Sequence, residues 1–363
     1  MAQKTPFHNQ HVRHGAKIVE FAGYLMPIQY RGIVEEHKRV RNNVGIFDLS
    51  HMGEFILTGK DAEPFLQKVT VNDLSKLATW QVQYSCMCYP EGGIVDDLLV
   101  YKLPDYWMLV VNAACLEKDF AWLQKNKIGD VKLDNVSDNT ALLALQGPQA
   151  EKVMARLTEY DLPGIKFYWA ARGKGGGEEF LFSRTGYTGE DGFELYLPPD
   201  LAPKFWELAL DAGKEYGIEP IGLGARDSLR LEMKYMLYGN DIDQTTNPLE
   251  AGLGWILKLD KGDFIGKEAI LKTKQNGLSR KLVAFEMLDK AFPRQHYPIH
   301  KNGDKIGEVT SGVFSPSLEK GIGLGYVPTQ HSEIGSTFEI QIRDKFYPAQ
   351  TVKAPFWKNY THK

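Results

Sequence analysis

The spacing of apolar residues along the chain predicts both helices and strands, and the clearest helix lies near the N-terminus. Between Ile33 and Val44, apolar residues recur at helical spacing among charged ones, as expected for a helix that buries one face. A helix is therefore predicted over residues 32–44. Similar patterns predict helices at residues 61–69, 116–125 and 201–216, and after the pair Gly147-Pro148.

Strands are predicted where apolar and polar residues alternate or where an apolar run is short. A first group lies at residues 54–58, 84–89, 94–103 and 107–112, and a second group near residues 131–136, 141–145, 179–183 and 193–197. Short turns connect most neighbouring strands, which favours antiparallel sheets and argues against a doubly wound parallel sheet. The predicted fold class of this part is α+β.

From Ser279 onward the pattern contains only strands and turns, with strands at residues 282–287, 305–313, 323–327, 337–343 and 349–353. The pair Asn302-Gly303 is a typical two-residue hairpin turn. This part of the chain therefore predicts a separate all-β unit, either a barrel or a sandwich.

Composition excludes several classes of function. Of 363 residues, 43% are hydrophobic and 25% are charged, with a net charge of −3. The chain is long enough for two or three domains, but it offers no basic surface for nucleic acid. No apolar run reaches the roughly 18 residues that a membrane helix needs, and the first residues resemble no signal or transit peptide. A cytoplasmic protein is expected, with its three cysteines free and buried.

Three glycines and three acids crowd residues 184–194, between two strand-like runs. A tight connection accounts for the glycines, because glycine accepts a positive φ. It does not account for Glu194, which lies between Phe193 and Leu195 and so faces away from both. If that face is solvated, Glu194 is an ordinary surface acid. If it lines a pocket, the carboxylate can accept hydrogen bonds from two adjacent N–H groups of a ligand.

Two neighbouring acids, Asp96 and Asp97, interrupt the apolar strand at residues 94–101 and face opposite sides of it. Both sides are otherwise apolar, so neither carboxylate can stay ionised there without a partner. One acid is expected to meet backbone donors at the turn after Gly92-Gly93, and the other is a candidate general base or electrostatic stabiliser. The residues alone leave a structural role open for each.

Arg226 follows Gly222 and Gly224 near the start of a predicted helix. These glycines lack the third glycine and the preceding strand of a dinucleotide-binding fingerprint. A cation is unfavourable at a helix start, so Arg226 is expected to pair with an acid or with a ligand carbonyl. The structural alternative is a salt bridge with Asp227 or Glu232.

No metal site is predicted. His8, His11 and His14 are evenly spaced without a carboxylate or cysteine to complete a ligand set, and we interpret them as surface residues on one turn of helix. Cys86 and Cys88 share a strand face, but two thiols are too few for a structural metal.

Several segments resemble one family, and they occur in the expected order: GAKIVEFAGYLMPIQY at 15–30, GGIVDDL at 92–98, RTGYTGEDGFE at 184–194, GLGARDSLRLE at 222–232 and VTSG at 309–312. On these motifs the chain is similar to the aminomethyltransferases, or T-proteins, of the glycine cleavage system, within the wider family of tetrahydrofolate-dependent one-carbon enzymes. The resemblance covers nearly the whole chain. It implies a three-domain cloverleaf, in which antiparallel sheets flanked by helices and a C-terminal all-β barrel surround a central folate-binding hole.

The domain boundaries expected from this resemblance follow the strand groups. The first domain is discontinuous and α+β, with residues 1–50 and 137–250, and the second, residues 51–136, is inserted into it. Residues 251–278 connect to the C-terminal β-barrel at residues 279–363.

The resemblance also implies a reaction. An aminomethyl group on the lipoyl arm of H-protein is attacked by tetrahydrofolate, which gives 5,10-methylenetetrahydrofolate and ammonia. Tetrahydrofolate is thus the expected co-substrate and no metal is needed. The lipoylated H-protein and the other glycine cleavage subunits are the expected partners, without nucleic acid or membrane.

The family motifs also imply roles for particular residues. Asp96 aligns with the acid thought to assist the attack by folate, and it is the expected catalytic residue. Arg294 is expected to face the lipoyl entrance. The positions that match the folate site of the family are Glu194, Arg226, Tyr187, Asn112, Met52 and Tyr84.

Two rival functions remain open beside this one. A folate-binding protein of iron–sulfur cluster maintenance shares the fold, but its hallmark Lys-Gly-Cys motif is replaced here by KGDFIGKE at 261–268, with Asp263 in place of the thiol. A folate-dependent demethylase of a small methylated donor, or the folate half of a sarcosine-type oxidase, is the second rival. The chain has no flavin-binding fingerprint, so an oxidase would need another subunit.

Overall fold

The structure, a computed structural model, describes residues 2–362. Within this range the strands form three open sheets and one closed barrel, with helices packed against the sheets. The predicted α+β class with a C-terminal barrel is therefore confirmed. In the described part of the chain, no helix combines the length and the apolar character that crossing a membrane would take.

The N-terminal residues form a small sheet that the sequence pattern does not predict. Its elements and the helix that follows are β1 (Gln3–Lys4), α1 (His8–Arg13), β2 (Lys17–Phe21), β3 (Tyr24–Gln29) and α2 (Ile33–Asn42). β3 lies in the middle, parallel to β1 and antiparallel to β2. The helix predicted at residues 32–44 is confirmed by α2, which buries Val40 on its inner face.

β4 (Gly45–Asp48) follows α2 and belongs to a six-stranded sheet described below. After β4 the chain forms a five-stranded antiparallel sheet. The strands of that sheet and the two helices between them are β5 (Gly53–Thr58), α3 (Ala62–Val69), β6 (Val82–Cys88), β7 (Ile94–Lys102), β8 (Trp107–Val111), α4 (Leu116–Asn126) and β9 (Lys132–Asn135). The strand order is β6-β7-β8-β5-β9. The sequence pattern placed residues 131–136 in the second group of strands. Instead, β9 pairs with β5 and completes this five-stranded sheet.

A six-stranded sheet follows, built on β10 (Ala141–Gln146), α5 (Ala150–Leu157), β11 (Ala170–Gly175), β12 (Glu178–Ser183), β13 (Gly192–Leu197), α6 (Ala202–Gly213), β14 (Glu219–Pro220) and α7 (Leu223–Glu232). Its order is β11-β12-β13-β10-β4-β14. The chain therefore leaves this sheet after β4, forms the five-stranded sheet and returns at β10. The exact domain boundaries stay a prediction.

The C-terminal part forms a closed six-stranded barrel after one more helix. Its elements are α8 (Lys267–Asn276), β15 (Arg280–Met287), β16 (Pro298–Lys301), β17 (Asp304–Ser315), β18 (Lys320–Pro328), β19 (Thr337–Ile342) and β20 (Lys345–Val352), and the closed order is β15-β18-β17-β16-β19-β20. Asn302 and Gly303 have φ of 54° and 90° in the turn between β16 and β17, as a two-residue hairpin requires. The predicted strands omit the short β16.

Apolar cores lie between the sheets and their helices, and further cores join the units. Phe193 and Leu195 of β13 pack with Trp206 of α6 in the core of the six-stranded sheet. A second cluster joins the two larger sheets through residues such as Tyr101 and Leu142. A third joins the five-stranded sheet to the barrel. The cavity described next lies where these units meet. All three cysteines are free and buried, as predicted.

Candidate active site

The two larger sheets, the loops beside them and one side of the barrel enclose a cavity of about 920 Å³. This lies within the roughly 300–1,000 Å³ usual for small-molecule sites, and the wall is mostly apolar with a few charged groups, as such sites are. Asp96 and Arg294 do not line it. All six residues expected to bind the folate do line it: Met52, Tyr84, Asn112, Tyr187, Glu194 and Arg226.

Glu194 reaches the cavity because strand residues alternate. On β13, Phe193 and Leu195 are fully buried in the apolar core, and Glu194 between them faces the cavity. Its Oε2 accepts a hydrogen bond from the Thr185 hydroxyl, and its Oε1 has no hydrogen-bond partner among residues 2–362. Burial raises the pKa of Glu194, although the Thr185 hydrogen bond and the charge of Arg226 act in the opposite direction. One carboxylate oxygen is therefore open to a ligand.

Arg226 lies in the first turns of α7, with its guanidinium 4.5 Å from the centre of the Tyr187 ring. Burial lowers the pKa of Arg226, but an arginine stays protonated in proteins. Within the described residues the guanidinium makes no hydrogen bond and no ion pair. The helix salt bridge that was the structural alternative belongs to Arg230, which pairs with Asp227 at 2.7 Å and with Asp241 at 2.6 Å.

Asp97 is the acid of the β7 pair that faces the cavity. Its Oδ2 accepts a hydrogen bond from the Tyr84 hydroxyl at 2.9 Å, and its Oδ1 accepts one from Asn112 Nδ2 at 2.9 Å. Burial, and then the charge of Asp96, raises the pKa of Asp97 to about 7. The carboxyl group is thus fixed in the wall and close to its titration point at neutral pH.

Asp96 points away from the cavity and is fully buried behind β7. Its Oδ1 accepts a hydrogen bond from Asn112 Nδ2 at 2.9 Å, and its Oδ2 accepts one from the Asn112 backbone N–H at 3.1 Å. The sequence therefore identified the pair of acids, but their alternation alone could not tell which one faces the ligand. Asp96 contacts the site through Asn112.

Aromatic rings on the wall form two stacked pairs. Tyr84 stacks on Trp255 with 5.9 Å between ring centres, and Tyr187 stacks on Tyr235 with 5.6 Å. The side chain of Trp255 is 63% exposed although it lines the cavity. Sequence reasoning missed Trp255, because residues 251–278 were interpreted only as a connecting segment. No local signal indicates that this segment returns to the cavity.

The N-terminal histidines correct one sequence prediction. His11 is fully buried and not a surface residue. Its Nε2 bonds Asp48 Oδ2 at 2.8 Å, and its Nδ1 bonds the Tyr30 hydroxyl at 2.8 Å. Both partners come from other elements, so the local spacing of histidines could not reveal them. Arg294, the residue expected at the lipoyl entrance, is exposed on the loop before β16.

One group of potential metal ligands is present in residues 2–362. Single ligand atoms of Asp96, Cys115 and Asp119 lie within 4.8 Å of one another, and all three residues are buried. The Nζ of Lys118 lies 3.6 Å from Asp119 Oδ1, so an ammonium group already supplies positive charge at this place.

The fold and the cavity are those of a one-carbon transferase family, as comparison with known proteins shows. Residues 7–261 match the family model described as the GCVT N-terminal domain, and residues 280–358 match the glycine cleavage T-protein C-terminal barrel domain. The chain belongs to the glycine cleavage T-protein family. The family, the enzyme class and the aminomethyltransferase function predicted from the sequence are thereby confirmed.

The similarity to individual relatives extends over the full length of the chain. The chain is 54% identical to an aminomethyltransferase of Porphyromonas gingivalis over 98% of this chain and 99% of that one. It is 51% identical to an aminomethyltransferase of Desulfitobacterium hafniense over 98% of both chains. Among solved structures, the glycine cleavage system aminomethyltransferase T from Bartonella henselae superposes with a TM-score of 0.94 at 34% identity and full coverage of both chains.

Proposed function

We propose that the chain transfers the one-carbon unit of an aminomethyl-lipoyl arm, carried by an H-protein, to tetrahydrofolate held in the 920 Å³ cavity. The observation that carries this proposal is a pair of polar groups in one wall of the cavity that have no hydrogen-bond partner within residues 2–362. They are Oε1 of Glu194 and the guanidinium of Arg226. Tetrahydrofolate, when bound, supplies the nucleophilic nitrogen that accepts the one-carbon unit. The other glycine cleavage subunits are the wider set of partners.

These polar groups fit a pterin ring. A pterin edge presents adjacent N–H donors beside a carbonyl acceptor, so it needs a carboxylate and a cation on the same wall. Glu194 supplies the acceptor and Arg226 the donor, and the ring of Tyr187 supports the guanidinium at 4.5 Å. We assign the binding of the pterin to these three residues. Met52, Tyr84 and Asn112 belong to the same wall and complete the expected folate site.

We assign the catalytic acid to Asp97, the neighbour of the residue that the family motif suggests. Its carboxylate lies in the cavity wall, held by Tyr84 and Asn112. An acid with a pKa of about 7 is available in both protonation states near neutral pH, as proton transfer requires. As an anion it stabilises a cation that develops on the substrate. Asp96 then holds Asn112 in place from behind.

The lipoyl arm is largely hydrocarbon apart from its amide link and its two sulfur atoms, so it needs an apolar way into the cavity. Two exposed apolar side chains border the cavity, Trp255 at 63% and Ile334 at 69% exposure. We propose that the arm enters beside them. Arg294 does not line the cavity. We therefore propose that it contacts the surface of the H-protein.

Calorimetric titration with tetrahydrofolate tests the pterin site. Charge-assisted hydrogen bonds contribute about 1.5–3 kcal/mol each, so Glu194→Ala should weaken binding roughly tenfold or more. Glu194→Gln should also bind poorly, because its amide turns a donor toward the pterin. Asp97→Asn should bind nearly normally. Glu179→Gln, the same change at an exposed position of β12, is the matched control. Unchanged affinity in both Glu194 variants would exclude this site.

A further inference from the structure

A third buried acid lies behind the cavity wall. Asp119 of α4 is fully buried, and neither of its carboxylate oxygens receives a hydrogen bond from an N–H or O–H donor in residues 2–362. Lys118 Nζ lies 3.6 Å from its Oδ1, but that ammonium also donates to the Val95 carbonyl and lies 4.0 Å from the centre of the Tyr238 ring. An acid buried with so few donors needs a proton of its own.

The carboxylate of Asp96 accepts that proton in a hydrogen bond from Asp119. Oxygens of the two carboxyl groups lie within 4.8 Å of one another, and two buried carboxylates at such a separation do not both ionise. Asp96 accepts two hydrogen bonds from Asn112, and Asp119 accepts none. The negative charge is therefore more stable on Asp96 and the proton on Asp119. In agreement, burial and then the charge of Asp96 raise the pKa of Asp119 to about 11.

The side chain of Asn112 connects this pair to the cavity. The amide Nδ2 of Asn112 donates to Asp96 Oδ1 at 2.9 Å and also to Asp97 Oδ1 at 2.9 Å. Asn112 and Asp97 line the cavity, whereas Asp96 and Asp119 do not. The orientation of the Asn112 amide, and the charge felt by Asp97, thus depend on the state of the hidden pair.

We propose that Asp119, in its protonated form, is a positioning residue that keeps the negative charge on Asp96 and so fixes Asn112 against the cavity acid Asp97. The inference rests on the proposed function, because it concerns how Asp97 is tuned at that site. The titratable groups that face Asp119 are Asp96, Cys115 and Lys118. Those that face Asp97 are Asp96, Tyr84, Cys86, Tyr168 and Tyr187.

Two substitutions at the same position separate this role from simple packing. In Asp119→Ala, Asp96 loses its donor and binds the proton itself, so the charge that raises the pKa of Asp97 is removed. In Asp119→Asn, an amide N–H replaces the O–H donor and the charge stays on Asp96. The alanine variant should therefore change the titration of Asp97, and the asparagine variant should not.

The experiment is the pH profile of kcat/KM for the complete reaction with H-protein. Asp119→Ala should move the acidic limb down by about one pH unit or more, toward an ordinary aspartate, and lower kcat roughly tenfold through the loosened Asn112. Asp119→Asn should keep the wild-type midpoint. Glu117→Ala removes an exposed acid from the same helix and is the matched control.

An unchanged midpoint in Asp119→Ala, in a protein that is only less stable, would overturn the proposal, as would an asparagine variant that behaves like the alanine variant. Infrared difference spectra of the substrate-free protein with 13C-labelled aspartate give a second readout. The wild type should show at neutral pH the carbonyl band of a protonated carboxylic acid that Asp119→Asn lacks, and absence of that band overturns the proposal whatever the role of Asp97. Failure of the proposed function would instead show in Asp97→Asn and the Glu194 variants.

Discussion

The buried carboxylates beside α2 accept hydrogen bonds from a buried arginine, whereas the three carboxyl groups on and near β7 have a single ammonium group among them. In the first group, Arg41 donates to Glu190 at 2.7 Å and to Glu232 at 2.8 Å. Each of the four carboxylate oxygens accepts at least one hydrogen bond, and the remaining partners are His37, Ser315, Ser317, Trp357 and Thr361. We call His37, Arg41, Glu190 and Glu232 the Arg41 cluster. It joins α2, the loop before β13, α7 and the C-terminal residues.

The second group, the acid cluster, consists of Asp96, Asp97, Lys118 and Asp119. It has three carboxyl groups and one ammonium group, and the oxygens of Asp119 accept no hydrogen bond from a described donor. The pKa values of the carboxyl groups in the two clusters are shifted in opposite directions. Burial alone would raise the pKa of Glu232, but the His37 hydrogen bond and charge and then the Arg41 charge lower it to about 2. In the acid cluster, burial and neighbouring charge raise the pKa of Asp97 to about 7.

The difference separates stabilising from functional charge. A buried carboxylate that accepts hydrogen bonds from a buried cation stays ionised and joins elements together, and its removal mainly affects folding. A buried carboxylate that contacts no cation and lies beside another carboxylate has a raised pKa even where both of its oxygens are hydrogen-bonded. Such a group is available for proton transfer, which is a feature of active sites. The acid cluster is therefore expected to affect turnover, and the Arg41 cluster is expected to affect stability.

The largest expected effect is on turnover in the acid cluster. Asp97→Asn should lower kcat/KM by roughly a hundredfold to ten-thousandfold without loss of thermal stability, because it removes an unfavourable buried charge. Asp96→Asn should lower it less, because that carboxylate acts only through Asn112. Steady-state assays and calorimetric melting of both variants check this. A larger loss in Asp96→Asn would instead support the assignment that the family motif suggests.

The next effect is on folding in the Arg41 cluster. Arg41→Met leaves two buried glutamates without their cation, so the free energy of unfolding should fall by roughly 3–5 kcal/mol. Arg39→Met on the same helix removes a half-exposed partner of Glu219 and should cost about 1 kcal/mol or less. Chemical denaturation of the two variants gives the comparison. Equal losses would mean that the Arg41 cluster has no special stabilising role.

The smallest effect is a pH dependence of opposite sign in the two clusters. The pKa of Glu232 falls from 4.5 to about 2 on folding, so its contribution to stability is present above pH 4.5 and is lost as the pH falls toward 2. The pKa of Asp97 rises from 3.8 to about 7, so its contribution is present below pH 3.8 and is lost as the pH rises through 7.

Denaturation at several pH values measures both slopes. Glu232→Gln should be less stable than wild type at pH 6, and the difference should shrink as the pH approaches 2. Asp97→Asn should become progressively more stable relative to wild type as the pH rises from 4 to 8. A difference between Asp97→Asn and wild type that does not change with pH would contradict the raised pKa and, with it, the contrast between the clusters.

The sequence by itself determined the features that depend on local backbone periodicity. The helix at residues 33–42, the hairpin at Asn302-Gly303 and the turn of Glu194 away from Phe193 and Leu195 follow from the spacing of residues within one element. The long motifs indicated the family and therefore the reaction. These signals are short in range, so they survive without knowledge of what packs against each element.

The tertiary structure alone decided which face of each element meets the cavity. Alternation puts Asp96 and Asp97 on opposite sides of β7, but the packing of distant strands and the barrel determines that Asp97 lines the cavity. His11 is buried because Asp48 and Tyr30 reach it from other elements. Burial and the approach of charges from distant positions set the pKa values as well, since both depend on contacts that no local pattern of residues encodes.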